Sequence, residues 1–143
     1  MQVKGIDHIH IVVKDMEKAV KLYEDIFGIK FGRDIILKEY DAISRLAPLG
    51  TSGIELIQPT APGSLFAKFI EKKGEGIQAI SFRVNDIEEA KKDMQSKGIR
   101  LADTVSIGKM KEAQYHPKDA HGVLIELIEC PDIHPAEVAM FLL

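Results

Sequence analysis

The chain has 143 residues, 45% of them hydrophobic, which suits one compact domain or two small halves sharing a core. A formal charge of −3 gives no electrostatic case for nucleic acid as a partner, and the single cysteine, Cys130, excludes an internal disulfide framework and any cysteine-rich zinc site. No secretory leader opens the chain and no apolar run reaches about 18 residues, so no membrane partner and a cytoplasmic location are expected.

The first predicted element is a strand from Ile6 to Val13, with His8, His10 and Val12 on one face and Ile9, Ile11 and Val13 on the other. Both faces are largely apolar. A helix is therefore expected to cover one side, leaving the histidines facing a concavity on the other. Asp15 is placed to cap the next helix, whose Ala19, Leu22, Tyr23, Ile26 and Phe27 recur at helical spacing as core positions before Gly28 ends it. Ile35 to Tyr40, Ile43 to Pro48 and Ile54 to Gln58 read as three further strands. Pro59 and Pro62 then break the sheet, and Ser64 caps a short helix through Lys73 with Leu65, Phe66, Phe69 and Ile70 on its buried side.

Lys73-Gly-Glu-Gly76 is the expected hinge, after which the plan recurs. Ile77 to Val84 is a strand, and Asp86 with Glu89 forms a capping box for a helix whose Ile87, Ala90 and Met94 face inward before Gly98. Thr104 to Ile107, Ala113 to His116 and Val123 to Glu129 supply the remaining strands. The recurrence is visible residue by residue: GIDHIHIVVKDMEKA from Gly5 aligns with GIQAISFRVNDIEEA from Gly76, and GIELIQP from Gly53 with LIELIECP from Leu124. Both alignments share one offset, since 76 − 5 and 124 − 53 are each 71. A duplicated unit of this kind predicts an α+β fold of tandem β-α-β-β-β modules forming a curved mixed sheet around a cavity. The expected division is module 1 over about 5–59, a linker helix over about 64–75, module 2 over about 76–130 and a tail over 131–143, all within one domain.

The offset pairs His8 with Ala79 and Glu55 with Glu126. Each Glu lies between aliphatic neighbours, so period 2 points it away from the helix-covered core. A mid-strand carboxylate either faces solvent or, if buried, needs a cation, a proton or good donors. Convergence of His8, Glu55 and Glu126 on one divalent metal ion meets that need. An acidic, metal-free cleft is the alternative.

Taken with their surroundings, these segments resemble the vicinal-oxygen-chelate superfamily, which includes glyoxalase I, extradiol dioxygenases and the bleomycin and fosfomycin resistance proteins, and within it the methylmalonyl-CoA epimerase branch. The resemblance is carried by Ile6-Asp-His-Ile9, Gly53-Ile-Glu-Leu56, the segment Ala67 to Gly76 and the segment His116 to Leu127. It implies a glyoxalase-like fold and one divalent ion per chain, of Co, Ni, Mn, Zn or Fe type. The implied ligands lie at the positions of His8, Glu55, Ala79 and Glu126. The implied chemistry is abstraction of a proton alpha to a carbonyl or thioester, with the metal stabilising the enolate while Glu126 and Glu55 are the candidate catalytic carboxylates.

Two positions depart from the pattern. Ala79 stands where the family strand carries a ligand His, with Gln78 beside it, and the family's first-half catalytic Glu falls near Ile43, where Glu39 and Asp41 are the nearest carboxylates. His10 stands where the family usually has Gly and shares a face with His8, about 6.8 Å along the strand. It reads either as a replacement metal ligand or as part of the pocket wall. His116, His121 and His134 read as local hydrogen-bonding or solvent-facing residues. Lys68, Lys72 and Lys73 form a basic cluster that suits either a phosphate or a solvated helix end. The apolar tail, ending Met140-Phe-Leu-Leu143, is expected to pack over a groove or across a subunit boundary.

The expected partners are a small-molecule substrate, such as an acyl-CoA or a thiol adduct, and a second copy of the chain in a homodimer. The expected activity is that of an epimerase. A glyoxalase I-type lactoylglutathione lyase and a non-catalytic ligand-binding or resistance protein of the same fold are the alternatives.

Overall fold

The computed structural model describes residues 1–130, so the expectations for the tail and His134 lie outside the described residues. In chain order the elements are β1 (Val3–Val12), α1 (Met16–Phe27), β2 (Ile35–Leu37), β3 (Ala42–Leu49), β4 (Ser52–Pro59), α2 (Leu65–Lys73), β5 (Gly76–Val84), α3 (Ile87–Ser96), β6 (Leu101–Ile107), β7 (Met110–Tyr115) and β8 (Leu124–Glu129). Short 3₁₀ turns lie at Lys38–Tyr40 and Pro117–Asp119. Among the described residues they form two compact units, one of Ile9–Gln78 and one of Met1–His8 with residues 79–130.

In the Ile9–Gln78 unit the strands run β2-β3-β4 and then the C-terminal part of β1, with β2/β3 and β3/β4 antiparallel. Alternation along β4 divides the labour. Ile54 and Leu56 pack with Val13, Met16, Val20, Phe31 and Ala47 under α1, whereas Ile57 packs with Val12, Ala42 and Phe66 beside α2. Glu55 therefore shares the face of Ile57, away from α1. Pro48, which has no N–H to give, sits on β3 opposite Gly53 and beyond the Ala42–Ser44 stretch that pairs with β2, so it interrupts no ladder on that side.

In the other unit the N-terminal part of β1 is followed by β5-β8-β7-β6, with β5/β8 parallel and β7/β8 and β6/β7 antiparallel. Val84, Ile87, Ala90, Met94, Ala113, Tyr115 and Leu127 form its core under α3. Val84, Ile87, Met94 and Leu127 each contribute roughly 1.5–3 kcal/mol by this burial.

The sequence repeat reappears as a repeat of interactions. Asp15 caps α1 by accepting from the Lys18 N–H, and Asp86 caps α3 by accepting from the Glu88 and Glu89 N–H groups. The Met16 N–H donates to Gln58 Oε1 of β4 at 2.6 Å, and the Ile87 N–H donates to Glu129 Oε2 of β8 at 2.8 Å. Donors and acceptors of these two bonds are related by the same 71-residue offset. Each bond satisfies a helix N–H that has no partner inside its helix and fixes the helix start to the end of a strand. Gly5 and Gly76, also equivalent, have φ of 144° and 151°, a conformation open to glycine alone.

Several expectations need correction. The α1 stripe is only partly core: Met16 and Val20 are buried, Ala19 and Tyr23 pack beside them, and Leu22, Ile26 and Phe27 are exposed, because the first two lie on the helix flank and the third at its end. Leu65, at the first turn of α2, is also exposed while Phe66 is buried. The strand expected from Ile35 to Tyr40 stops at Leu37, where a 3₁₀ turn ending in Asp41 with φ of 48° reverses the chain. β6 starts at Leu101 and β7 at Met110, each three residues earlier than expected, since a polar two-stranded ribbon carries little hydrophobic signal. The capping box is one-sided, for Asp86 accepts from the Glu89 N–H while the Glu89 carboxylate lies 3.4 Å from the terminal ammonium of Met1.

The loop after α3 is tied to the turn before β8 by Arg100, which donates its backbone N–H and side-chain Nε and Nη2 to Asp119 at 3.0, 2.9 and 2.9 Å. The Arg100 side-chain hydrogen bonds, followed by its backbone N–H, hold the Asp119 carboxyl down from 3.8 to about 2. A depressed carboxyl pKa stabilises the fold above the unfolded value and loses that contribution as pH falls through the folded one. Asp119→Asn should therefore lower the melting temperature at neutral pH, and the gap from wild type should close as pH falls from 3.8 to about 2. An equal gap at both ends of that range, in thermal unfolding followed by circular dichroism, would contradict this account.

Candidate metal centre

Four ionisable groups on β1 and β8 are withdrawn from water: Asp7, His8, His10 and Glu126 are 0, 2, 7 and 1% exposed. A buried carboxylate is costly unless donors or a cation surround it. Glu126 is provided for by its neighbours. Gln114, directly opposite on β7, donates Nε2 to Glu126 Oε2 at 3.1 Å, and His8 Nε2 lies 3.5 Å from Oε1. Across the β5/β8 ladder Glu126 is in register with Ser81, itself fully buried.

The other ring nitrogen of His8, Nδ1, lies 2.9 Å from Asp7 Oδ1, and the second Asp7 oxygen accepts from Arg83 Nε at 3.0 Å. Sequence reasoning missed Asp7, Arg83 and Gln114. Strict alternation turns Asp7 away from His8, yet both are buried, which breaks the alternating pattern of β1. The available signal was a lone Asp and a lone Arg, each inside an otherwise apolar strand.

His10 stands two residues further along β1, as period 2 requires. One ligand atom each from His8, His10 and Glu126 lies within 4.8 Å of the others, the one such group of three among the described residues. Glu55, on β4, faces His10 with Oε2 3.3 Å from Nε2, its side chain 12% exposed. Two imidazoles and a carboxylate are borderline and hard donors that suit first-row divalent ions, so the residues present fit such an ion. Ala79, at the position equivalent to His8 in the repeat, is fully buried and brings no donor.

The remaining candidates fall elsewhere. Glu39 and Asp41 are exposed in and after the 3₁₀ turn, so neither supplies a carboxylate from the buried face of β3. His116 caps the second 3₁₀ turn by accepting from the Lys118 N–H at 3.2 Å, and His121 occupies a turn with φ of 54°. Lys73 places Nζ 5.8 Å from the Phe69 ring centroid at the end of α2. No helix among the described residues is long and apolar enough to cross a membrane.

The profile of the Glyoxalase/Bleomycin resistance protein/Dioxygenase superfamily matches residues 7–116. The mitochondrial methylmalonyl-CoA epimerase of Homo sapiens is 35% identical over 126 residues, covering 85% of this chain and 72% of that protein. Among solved structures, methylmalonyl-CoA epimerase from Mycobacterium tuberculosis superposes with a TM-score of 0.81 at 33% identity, covering 89% of this chain and 88% of that one. A variant of the Streptomyces coelicolor methylmalonyl-CoA epimerase, in complex with 2-nitronate-propionyl-CoA, superposes with a TM-score of 0.84 at 27% identity, covering 93% and 99%. With eight strands and three α-helices of the glyoxalase-like α+β type among the described residues, the chain belongs to the glyoxalase, bleomycin resistance and dioxygenase superfamily.

Proposed function

We propose that this chain is a metal-dependent epimerase, one glyoxalase-like domain that moves the proton alpha to the thioester of a small 2-substituted acyl-CoA. The observation that carries this reading is the buried group His8, His10 and Glu126 in a chain similar along most of its length to methylmalonyl-CoA epimerases. One divalent ion would be held by those three residues, with Glu55 beside His10 as the fourth candidate. When bound, such an ion supplies Lewis acidity at the thioester oxygen, where negative charge develops as the alpha proton leaves.

The protein's own groups supply the proton chemistry. Epimerisation removes the proton from one face of C2 and returns one to the opposite face, so two proton-carrying groups are needed. Glu126 and Glu55 are assigned to these roles. A carboxylate oxygen takes the proton, the C–H electron pair delocalises toward the thioester oxygen, and the other carboxyl returns a proton to C2. Gln114 restrains Glu126 through Oε2, which leaves Oε1 on the side of His8. Because Ala79 offers no ligand atom, His10 is assigned as its replacement, reached from β1 instead of β5.

In deuterated water, Co²⁺-loaded wild type should exchange the C2 proton of methylmalonyl-CoA, and Glu126→Gln should abolish exchange with an unchanged circular dichroism spectrum. Turnover of a glutathione or bacillithiol hemithioacetal without such exchange would replace the epimerase with the lyase. Tight binding of a small ligand with neither reaction would make it a binding protein.

Ligand replacement has its own test by calorimetry with Co²⁺. His8→Ala and His10→Ala should each weaken binding on the order of tenfold or more, while Ala79→His should tighten it and make His10 dispensable. Unchanged affinity in His10→Ala would return that residue to the pocket wall.

A further inference from the structure

We infer that Asp7 and Arg83 are a positioning pair that fixes the proton of His8 on Nδ1 and presents the Nε2 lone pair to a metal ion. The inference rests on the reading of His8 as a metal ligand, and the geometry around Asp7 carries it. Asp7 is fully buried, with one oxygen 2.9 Å from His8 Nδ1 and the other 3.0 Å from Arg83 Nε. An ionised carboxylate only accepts hydrogen bonds, so a neutral His8 bonded to it carries its proton on Nδ1. Its lone pair then lies at Nε2, the atom 3.5 Å from Glu126 Oε1.

The competing tautomer has a use of its own in the bare protein. With the proton on Nε2, His8 would donate to Glu126 in a charge-assisted hydrogen bond, but its lone pair would then lie on Nδ1, facing Asp7 instead of Glu126. Asp7 decides between these outcomes. Arg83 orients Asp7 for this role: its Nε donates to Oδ2, which turns Oδ1 toward the imidazole. Burial of both Asp7 and His8, consecutive residues of β1, keeps this contact out of water.

Asp7→Asn tests the pair. Its amide can turn its oxygen toward Arg83 only by turning its NH₂ toward His8, where it needs a bare Nδ1 as acceptor and so drives the proton to Nε2. Long-range ¹H–¹⁵N correlation spectra of metal-free protein, at a pH where imidazoles are neutral, should show His8 protonated on Nδ1 in wild type and shifted toward Nε2 in Asp7→Asn. Calorimetry with Co²⁺ should show affinity falling roughly 10–100-fold in the variant. A wild-type His8 protonated on Nε2 overturns the inference even if the variant does not fold, as does an Asp7→Asn protein that keeps both tautomer and affinity. If wild type takes up no Co²⁺ yet the tautomer switches as described, the metal reading falls and the positioning pair stands.

Discussion

A carboxylate held inside a β-strand and away from water constrains this chain more than any other group. Taking Glu126 out of water costs several kcal/mol unless its charge is matched, far more than any one aliphatic contact in the neighbouring core returns. The chain meets that cost with named groups. Gln114 donates to one oxygen, His8 stands against the other, and His8 is in turn bound to Asp7, itself bound to Arg83. Removing any member leaves another buried polar group exposed to the same penalty. The cluster is therefore a coupled unit.

The repeat also anchors the helices. Each module ties the start of its helix to the end of a strand through a side chain at an equivalent position, Gln58 for α1 and Glu129 for α3, and an Asp cap secures the same helical turn. β8 thus carries Glu126 between a helix-packed Leu127 and a ladder to β5 on one side and β7 on the other. The repeat is symmetric in these ties and asymmetric in its metal-capable donors. The position equivalent to His8 is Ala79 and that equivalent to His10 is Ser81, so both imidazoles stand on one strand.

The strand bearing the histidines, the two Glu-bearing strands and the three described α-helices were legible because period 2, period 3.6 and the Asp and Ser caps agree there. The repeat added what periodicity alone lacks, a reason for His8 and Glu126 to be related. Less legible were β6 and β7, whose polar, exposed faces leave only turn residues as signals. Leu22 and Ile26 misled for the opposite reason: they are apolar and at helical spacing, yet they lie on a helix flank that the described residues leave exposed. The Asp7–His8 contact was invisible because adjacent strand residues ordinarily point apart, and only coordinates reveal where that rule is broken. Gln114 was unreadable for a different reason, since its role depends on the β7/β8 register.

The central claim is that two histidines of one strand and a glutamate of another hold one divalent ion. Diffraction recorded at the cobalt absorption edge, from crystals of the protein grown with Co²⁺, tests it most directly. The account requires one anomalous peak per chain at about 2.0–2.2 Å from His8 Nε2, a His10 nitrogen and a Glu126 oxygen. A peak bound without His10, or no peak beside Glu126 at saturating Co²⁺, would contradict it.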